Sequence, residues 1–420
     1  MKIKPKDIVQ DFAKRGGIAI FFSAFFARLL SFIASIIALQ LIDSTGLGLV
    51  IYAFTIVSFI IPVSGLGLHQ SLIRYGALLE SQKQKNSLFI YVLKKGVLWS
   101  FVLVAIVIIL SFLFEPILLD SKNYLIALAF LIPTSFVLEI LKVQLRLFHK
   151  NIEFAKVEIT YAAALVFMVF TLSYFYNEIG YIIALICSPL ITALLFFKKL
   201  NIDIQEQHQK LSIINISFWK YGFFSSLSNV ATQFLTAIDI LLIGYFLVDP
   251  EIVTIYKYIA LIPLSLLFLS RVFMTTDFVK ITENIYDSKY IKDYIKNYFT
   301  LFLTISVCII LFSFAFSNYI LSYFGENFIE HRSSFMILII GICGILIFRG
   351  LFGNLLSAIG KAHTNYWIAL IAIFINILLN YFLIPRYGIF GAAITSASLM
   401  WFTGILSTVL FFYYYKDLSK

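Results

Sequence analysis

The stretch NILLNYFLIPRYGIFGAAITSASLMW, residues 376–401, contains two apolar runs separated by Pro385 and Gly388. Proline and glycine favour tight turns, so the two runs predict two membrane-spanning helices joined by a short external turn. The glycine and two alanines that follow the turn would let a neighbouring helix approach closely. Asn376 and Asn380 lie one helical turn apart in the first run, where their amides need partners on other helices. The stretch therefore predicts a packed bundle of membrane helices.

The composition of the whole chain agrees with this prediction. Of its 420 residues 61% are hydrophobic and only 13% are charged, and the mean hydropathy is +0.95. Soluble domains contain about one quarter charged residues. Twelve apolar runs have the roughly twenty residues that a span needs; they cover about 18–42, 47–69, 88–114, 123–147, 155–176, 179–197, 217–247, 252–274, 294–316, 334–358, 366–384 and 388–415.

The lysines and arginines predict the orientation of these spans. With the N-terminus inside, 26 of the 32 fall on cytoplasmic segments, three on external loops and three within spans. Cytoplasmic loops are enriched in these residues, so both termini are predicted to be cytoplasmic, with residues 1–17 as an amphipathic lead-in. The net charge of +10 then reflects membrane topology rather than nucleic-acid binding. No P-loop and no metal-ligand spacing occur, so no cofactor is expected.

Similar stretches recur at offsets of 201 to 208 residues. IILSFLFEPIL at 108–118 resembles IILFSFAFSNYIL at 309–321, and the stretch that begins EIGYIIAL at Glu178 resembles the one that begins RYGIFGAA at Arg386. Transporters are often built from such repeats. The sequence therefore predicts an all-α integral membrane protein of about twelve transmembrane helices in two six-helix lobes, related by a pseudo-two-fold axis along the membrane normal. The predicted segments are an N-terminal lobe at 18–198, a cytoplasmic linker at 199–216, a C-terminal lobe at 217–415 and a cytoplasmic tail at 416–420.

Part of the opening stretch is also a recognisable motif. Two asparagines four positions apart, an apolar stretch, Ile-Pro and Tyr-Gly-Ile-x-Gly-Ala-Ala resemble the last two spans of polysaccharide-repeat flippases in the multidrug/oligosaccharidyl-lipid/polysaccharide exporter superfamily. Further agreement comes from LLSAIGKAHTNYW at 355–367, AIDILLIGYF at 237–246 and GLGLHQSLIRYG at 65–76. The resemblance covers essentially the whole chain.

The resemblance implies a transporter rather than an enzyme. It would move undecaprenyl-pyrophosphate-linked oligosaccharide repeat units, by alternating access, to the outer leaflet of a bacterial cytoplasmic membrane. The product would enter surface polysaccharide such as lipopolysaccharide O-antigen. The implied partners are the lipid-linked oligosaccharide, membrane lipids, and the polysaccharide polymerase and chain-length proteins.

Three cations lie within predicted spans. Arg28 sits about ten residues into span 1, where an arginine costs ~2.5 to 3.5 kcal/mol on insertion scales. It would either pair with an acid such as Glu139, or extend toward the cytoplasmic face, or bind the substrate diphosphate in a cavity between the lobes. Arg349 in span 10 and Lys257 in span 8 are the other candidates for this cationic cavity. Bidentate and charged donors suit a diphosphate.

Acidic residues in the spans are candidates for ion coupling. Asp239 in span 7 would either pair with Lys257 across the short VDPE turn or bind a coupling proton or sodium ion, and Glu139 in span 4 is a second candidate. Arg74 and Arg271 end spans 2 and 8 on the cytoplasmic side. They would serve as membrane anchors or as a cationic mouth for the lipid headgroup.

Other functions remain as alternatives. A flippase for the peptidoglycan lipid precursor has the same fold, but those relatives usually have fourteen spans. A cation-coupled drug antiporter would favour acidic cavity residues, whereas span 1 offers Arg28. A membrane glycosyl-transferring enzyme would need an external acidic motif, and the longest external loop offers Glu326 and Glu330 without a catalytic pairing.

Overall fold

The computed structural model describes most of the chain, namely residues 17–113, 119–200, 211, 213–271, 273–274, 281, 284–359 and 361–418. All regular secondary structure in these ranges is helical. Residues 1–16 of the predicted amphipathic N-terminus, most of the predicted linker and the last two residues of the predicted tail lie outside them. Packing of the Cα atoms divides the chain into Met1–Gln233 and Phe234–Lys420, here called unit 1 and unit 2.

The helices follow the apolar runs because a backbone in hydrocarbon must satisfy its hydrogen bonds internally. Unit 1 contains α1 (Gly17–Leu41), α2 (Ser44–Ile60), α3 (Leu68–Ala77), α4 (Gln82–Leu113), α5 (Lys122–Leu128), α6 (Leu131–Leu147) and α7 (Asn151–Phe197). The next helix, α8 (Ile216–Leu247), begins in unit 1 and ends in unit 2. Unit 2 continues with α9 (Pro250–Ser265), α10 (Ser288–Ser322), α11 (Arg332–Gly344), α12 (Gly350–Ala358) and α13 (Ala362–Leu418). The membrane side on which α3 and α6 end is called the inner side below; it is the side predicted to be cytoplasmic.

Short connections between spans are fixed by aspartate caps. Asp43 accepts hydrogen bonds from the Gly46 amide at 3.0 and 3.1 Å and so caps α2. Asp249 caps α9 in the same way through the Glu251 amide, at 2.9 Å. A capping side chain satisfies amide groups that the first helical turn leaves without partners. The polar residues of these two short turns are thus helix starts rather than site residues.

Two of the helices reverse direction and each supplies two spans. In α7 the break is Asn177, with φ 47° and ψ −125°, and the Ser188 hydroxyl lies 3.7 Å from Met168 Sδ across the turn. In α13 the break is Gly388, with φ 55° and ψ −135°. Nine segments of the described chain are long and apolar enough to cross a membrane, among them the doubled α7 and α13, and α8 adds the shorter apolar segment Ala237–Leu247. With α7 and α13 each counted as two, the described residues hold eleven spans of sufficient length and the shorter apolar segment of α8, which confirms the predicted all-α membrane fold.

These two breaks also correct the register of the predicted repeat. A Cβ atom on Gly180 would lie 2.0 Å from the carbonyl oxygen of Leu172, and one on Gly391 would lie 2.4 Å from that of Leu383. Each glycine stands three residues after its break and touches the residue eight positions before it. The sequence alignment paired Gly180 with Gly388, but the backbone pairs Gly180 with Gly391. The position of each helix reversal determines which residues of the two repeats are equivalent, and an apolar sequence does not reveal that position.

Span 2 is interrupted between α2 and α3. Gly65, Leu66 and Gly67 all have positive φ, at 56°, 53° and 71°. A Cβ atom on Gly67 would lie 2.2 Å from the carbonyl oxygen of Gly222, so the backbone of α8 touches this break directly. The Ser71 hydroxyl also donates to the Phe218 carbonyl at 2.6 Å.

These contacts explain why the first turns of α8 belong to unit 1. The predicted lobes, 18–198 and 217–415, place the whole of α8 in the second lobe. Those lobe boundaries stay a prediction.

Candidate functional site

A buried carboxylate in unit 2 collects side chains from three helices. Asp239 of α8 is 5% exposed, and its Oδ1 accepts hydrogen bonds from the amides of Asn376 and Asn380 on α13, at 2.9 and 2.8 Å. Its Oδ2 accepts from the Tyr256 hydroxyl of α9 at 2.9 Å and from the Ser396 hydroxyl of α13. We call these five residues the Asp239 cluster. The predicted need of the two asparagines for interhelical partners is confirmed.

The Asp239 cluster holds its negative charge with neutral donors. A carboxylate offers about four lone-pair directions, and here all are used. Among the described residues no lysine or arginine lies within 4 Å of Asp239. The Oδ1 atom of Asn380 is buried and accepts no hydrogen bond within the described part of the chain. The cluster thus combines an unneutralised carboxylate with an unused oxygen ligand, a combination that suits a proton or a hard monovalent cation.

The predicted ion pair between Asp239 and Lys257 is wrong. The neighbouring residue Tyr256 faces Asp239, and successive residues on a helix point about 100° apart, so Lys257 is turned away. Lys257 is half-buried and has no carboxylate within 4 Å among the described residues. Sequence distance correctly put the two residues near one turn, but not on facing sides of their helices.

Arg349 is held in unit 2 by neutral partners as well. It ends a π-helical turn, Ile345–Arg349, that joins α11 to α12. Its Nη1 donates to Asn365 Oδ1 at 2.9 Å and to the Ser407 hydroxyl. The Asn365 amide in turn donates to the Gly353 carbonyl at 2.8 Å, which fixes the orientation of the acceptor. In the described part of the chain this guanidinium has no carboxylate partner, so its positive charge is uncompensated there.

The π-helical turn itself fits close packing against α13. A Cβ atom on Gly404 would lie 2.9 Å from Phe348 Cβ and 3.0 Å from the Gly344 carbonyl oxygen. Single π turns occur frequently at functional sites because they re-aim one side chain. Sequence reasoning found Arg349 but missed Asn365 and Ser407, since neither carries a charge and both are far from Arg349 in the chain.

Arg28 and Glu139 do not form the pair that one interpretation predicted. Glu139 instead makes an ion pair with Lys142 at 2.7 Å, three residues along the same helix. Its remaining electrostatic partners are His69 and Arg146. Arg28 is exposed on α1, beside the exposed Phe25 and Leu29. Lys142 pairs with Glu139 in place of Arg28 because residues three positions apart on one helix are already neighbours, whereas a pair between helices needs a particular register.

Arg74 and Arg271 are both exposed at inner helix ends. The Arg74 guanidinium lies 4.3 Å from the ring centroid of Tyr221 and 5.9 Å from that of Tyr75, both in unit 1. Arg271 closes the helical residues 267–271 of unit 2. Their predicted service as one cytoplasmic mouth stays a prediction.

The structure also contains a cavity of about 1030 Å³ in unit 1, lined by residues of α4 to α7. Its walls are apolar apart from Asp120, Asn123, Tyr124 and Thr134. None of the predicted site residues lines it. This largely apolar lining does not suit a polar substrate.

Comparison with known proteins gives a fold and a short sequence match. No family model matches the chain. A stretch of 94 residues is 34% identical to the capsular polysaccharide biosynthesis protein CapF of Staphylococcus aureus. This match covers 22% of each protein, so the chain matches about a fifth of the length of that relative.

Two solved structures show the likeness of the whole fold. The inward closed conformation of the lipid II flippase MurJ superposes with a TM-score of 0.73 at 18% identity, over 96% of this chain and 90% of that one. An inward-facing multidrug resistance transporter of the MATE family, in the MOP superfamily, gives a TM-score of 0.68 at 12% identity, over 93% and 95%. At these identities the likeness concerns the fold alone. The chain has the fold of MOP-superfamily transporters.

Proposed function

We propose that the chain is a flippase for lipid-linked oligosaccharide. It carries undecaprenyl-pyrophosphate-linked repeat units from the cytoplasmic to the outer leaflet of a bacterial cytoplasmic membrane, with both termini cytoplasmic. The two lobes, 18–198 and 217–415, alternate in opening to the two sides. The product passes to a polysaccharide polymerase and its chain-length partner.

The observation that carries this proposal is the uncompensated Arg349. A guanidinium at membrane depth is expensive unless an anion accompanies it. Its two neutral acceptors engage one nitrogen, Nη1, and leave the remaining guanidinium donors for a ligand. A diphosphate matches this fork of donors, because arginine binds phosphate oxygens in a bidentate way. The substrate thus supplies the counterion that the described residues do not.

The other intramembrane cations extend the same site in our proposal. Lys257 lacks a carboxylate partner in the described chain, and Arg28 is exposed on its helix. Both are assigned to the substrate path. Arg74 and Arg271 form its cytoplasmic mouth, where the aromatic rings beside Arg74 would also contact sugars.

Asp239 is assigned to ion coupling. With the amide of Asn376 or Asn380 rotated by half a turn, a carbonyl oxygen replaces an N–H donor at the carboxylate. The Asp239 cluster would then present several oxygens to a sodium ion. A proton on the carboxylate would turn one of its oxygens into a donor and displace a side chain that donates to that oxygen. Either event changes the hydrogen bonds between α8, α9 and α13, and so couples cation binding to helix position.

The comparisons support the substrate class in two ways. The relative that matches over 94 residues is a capsular polysaccharide biosynthesis protein, and one protein of similar fold is a lipid II flippase. Transport of lipid II by this chain is therefore the second candidate function. Both substrates share a polyprenyl diphosphate and differ in the sugar.

Complementation separates these candidates. The gene is expressed in a bacterium that lacks its polysaccharide-repeat flippase and, separately, in one depleted of its lipid II flippase. We expect surface polymer to return in the first strain and growth to fail in the second. At matched membrane expression, Arg349→Ala should lower polymer at least tenfold and Arg349→Lys should retain part of it.

Lys361→Ala is the matched control, because Lys361 lies just before α13 against the Tyr414 ring and outside the proposed site. It should leave polymer unchanged. Full activity of Arg349→Ala would show that this arginine does not hold the diphosphate. Rescue of the lipid II strain alone would replace the proposed substrate with lipid II.

A further inference from the structure

A second group of charges lies within unit 1, whereas the Asp239 cluster and Arg349 belong to unit 2. Lys142 of α6 makes ion pairs with Glu139, at 2.7 Å, and with Glu158 of α7, at 2.8 Å. The three side chains are 12%, 46% and 24% exposed in that order. Two carboxylates share one ammonium, so the group carries one net negative charge.

The depth of this group makes the net charge costly. Glu139 lies eight residues before the inner end of α6 at Leu147, which is about 12 Å along a helix. A carboxylate at that depth requires a counter-charge or water. Almost half of the Glu139 side chain is exposed at the surface of unit 1, so a proton can reach it where this surface faces water.

His69 packs against this group from α3. Gly76 of α3 contacts Leu147 of α6, since a Cβ atom on Gly76 would lie 2.6 Å from Leu147 Cδ1. Spans 2 and 4 both run toward the inner side, and two turns back along each helix bring His69 level with Glu139. His69 interacts electrostatically with Glu139, as this geometry requires.

The imidazole of His69 is left incomplete. His69 is only 8% exposed, and in the described part of the chain its Nδ1 is buried without a hydrogen-bond partner. A buried polar atom without a partner destabilises the folded state. Such an atom calls for an explanation, and a functional role is one of those found in native proteins.

We propose that His69, Glu139, Lys142 and Glu158 form a site that binds one proton taken up from the inner side of the membrane. Protonation forms an N–H bond at the imidazole and breaks an O–H bond of water or of a buffer acid, which leaves as its conjugate base. The charges of the four residues then sum to zero. The buried imidazolium gains Glu139 as its counterion.

Other charged and titratable groups also lie near this site. Arg146 lies one turn inward from Lys142 on α6. It is exposed and therefore screened by water. On α7 the group also faces the Tyr161 phenol, which is neutral. Lys94 and Lys95 on α4 are exposed and do not enter the electrostatics of His69. Burial and the first turn of α3 both oppose a positive charge on His69, and Glu139 is the described residue that favours it.

The use of this proton in transport rests on the proposed function, whereas its binding does not. In a flippase the proton would enter through the exposed Glu139 while the inner side is open. The proton would bring the net charge of the four residues to zero before α6 packs more closely against its neighbours. This site would act separately from the Asp239 cluster, which lies in unit 2.

The binding step can be tested on the purified full chain in lipid nanodiscs. The protein has five histidines, so isotope-labelled imidazole signals can be counted and His69→Gln identifies the signal of His69. We expect this signal to shift from the neutral to the protonated form as the pH falls through the range of about 8 to 5. In Glu139→Gln the signal should stay neutral to a lower pH. His363→Gln, at an exposed position, is the control and should leave the His69 signal unchanged.

Two outcomes would overturn the proposal. One is a His69 signal that stays neutral across the whole range. The other is a titration that is the same in Glu139→Gln as in the wild type, since Glu139 would then not be the counterion. Both readouts are made without transport, so a failed complementation would leave them standing.

Discussion

The two units treat their buried charges in opposite ways. In unit 1 the charges lie together, and Lys142 contacts both Glu139 and Glu158. In unit 2 the acid and the base are apart: Asp239 is held by amides and hydroxyls, and Arg349 by an amide oxygen and a hydroxyl. Unit 1 therefore compensates one of these two carboxylates with its own lysine and leaves one negative charge for the proton proposed above. Unit 2 keeps separate charges that an external cation and an external anion would complete.

The largest expected effect on stability is at Asp239. Asp239→Ala removes an acceptor from three buried donors and from the half-buried Ser396, and buried donors without partners cost about 1 to 3 kcal/mol each, though not additively. We expect the free energy of unfolding, measured by reversible denaturation in mixed detergent and SDS, to fall by about 4 kcal/mol. Asp239→Asn, which keeps the shape and one acceptor, should lose less than half as much. Equal losses would show that packing, not hydrogen bonding, holds α8 to α13.

A somewhat smaller effect is expected at Lys142 in unit 1. Lys142→Met leaves Glu139 and Glu158 without their shared cation, and breaking a buried pair from one side costs about 3 to 5 kcal/mol. Because Glu139 is almost half exposed, we expect the lower end, about 3 kcal/mol, in the same assay. The triple variant Lys142→Met, Glu139→Gln, Glu158→Gln should recover most of this loss. If it does not, the group is held by something other than mutual compensation, and the contrast with unit 2 fails.

The smallest effect compares the two helix reversals. Asn177 adopts φ 47° and ψ −125°, a conformation that favours glycine, and Gly388 adopts nearly the same one. Non-glycine residues in such regions cost of order 1 to 3 kcal/mol. We expect Asn177→Gly to raise the free energy of unfolding by about 1 kcal/mol and Gly388→Ala to lower it by about as much. No atom lies within 4 Å of a Cβ atom built on Gly388, so the second change tests backbone strain alone.

A stabilising Gly388→Ala would contradict the equivalence of the two breaks. Gly325→Ala is a useful reference, because Gly325 also has positive φ, at 143°, but lies outside the two reversals.

The sequence was sufficient to predict which segments cross the membrane and which residues are polar there. Span lengths, the tight turn at Gly388 and the need of Asn376 and Asn380 for partners on other helices all follow from local pattern. These features depend on residue type and on spacing along one helix.

The facing of side chains was not predictable in the same way. Lys257 and Tyr256 are neighbours in sequence, yet only Tyr256 reaches Asp239, because almost every position of these helices is apolar and gives no direction. Arg349 donates hydrogen bonds to Asn365 and Ser407 from the end of a π-helical turn, and no residue pattern predicted this turn. Contacts between distant helices depend on rotation about the helix axis, which composition does not encode.

The direct helix reversals also constrain how the chain is built into a membrane. The spans of α7 meet at the single residue Asn177, and those of α13 meet at Gly388, with no loop between them. During biosynthesis there is no loop that would let the first span of such a pair insert alone before the second. Because no loop separates the two spans, we expect each pair to enter the membrane as a preformed hairpin. The last two spans of each half would then be single units of insertion, and lengthening either turn should alter the order of assembly more than the finished fold.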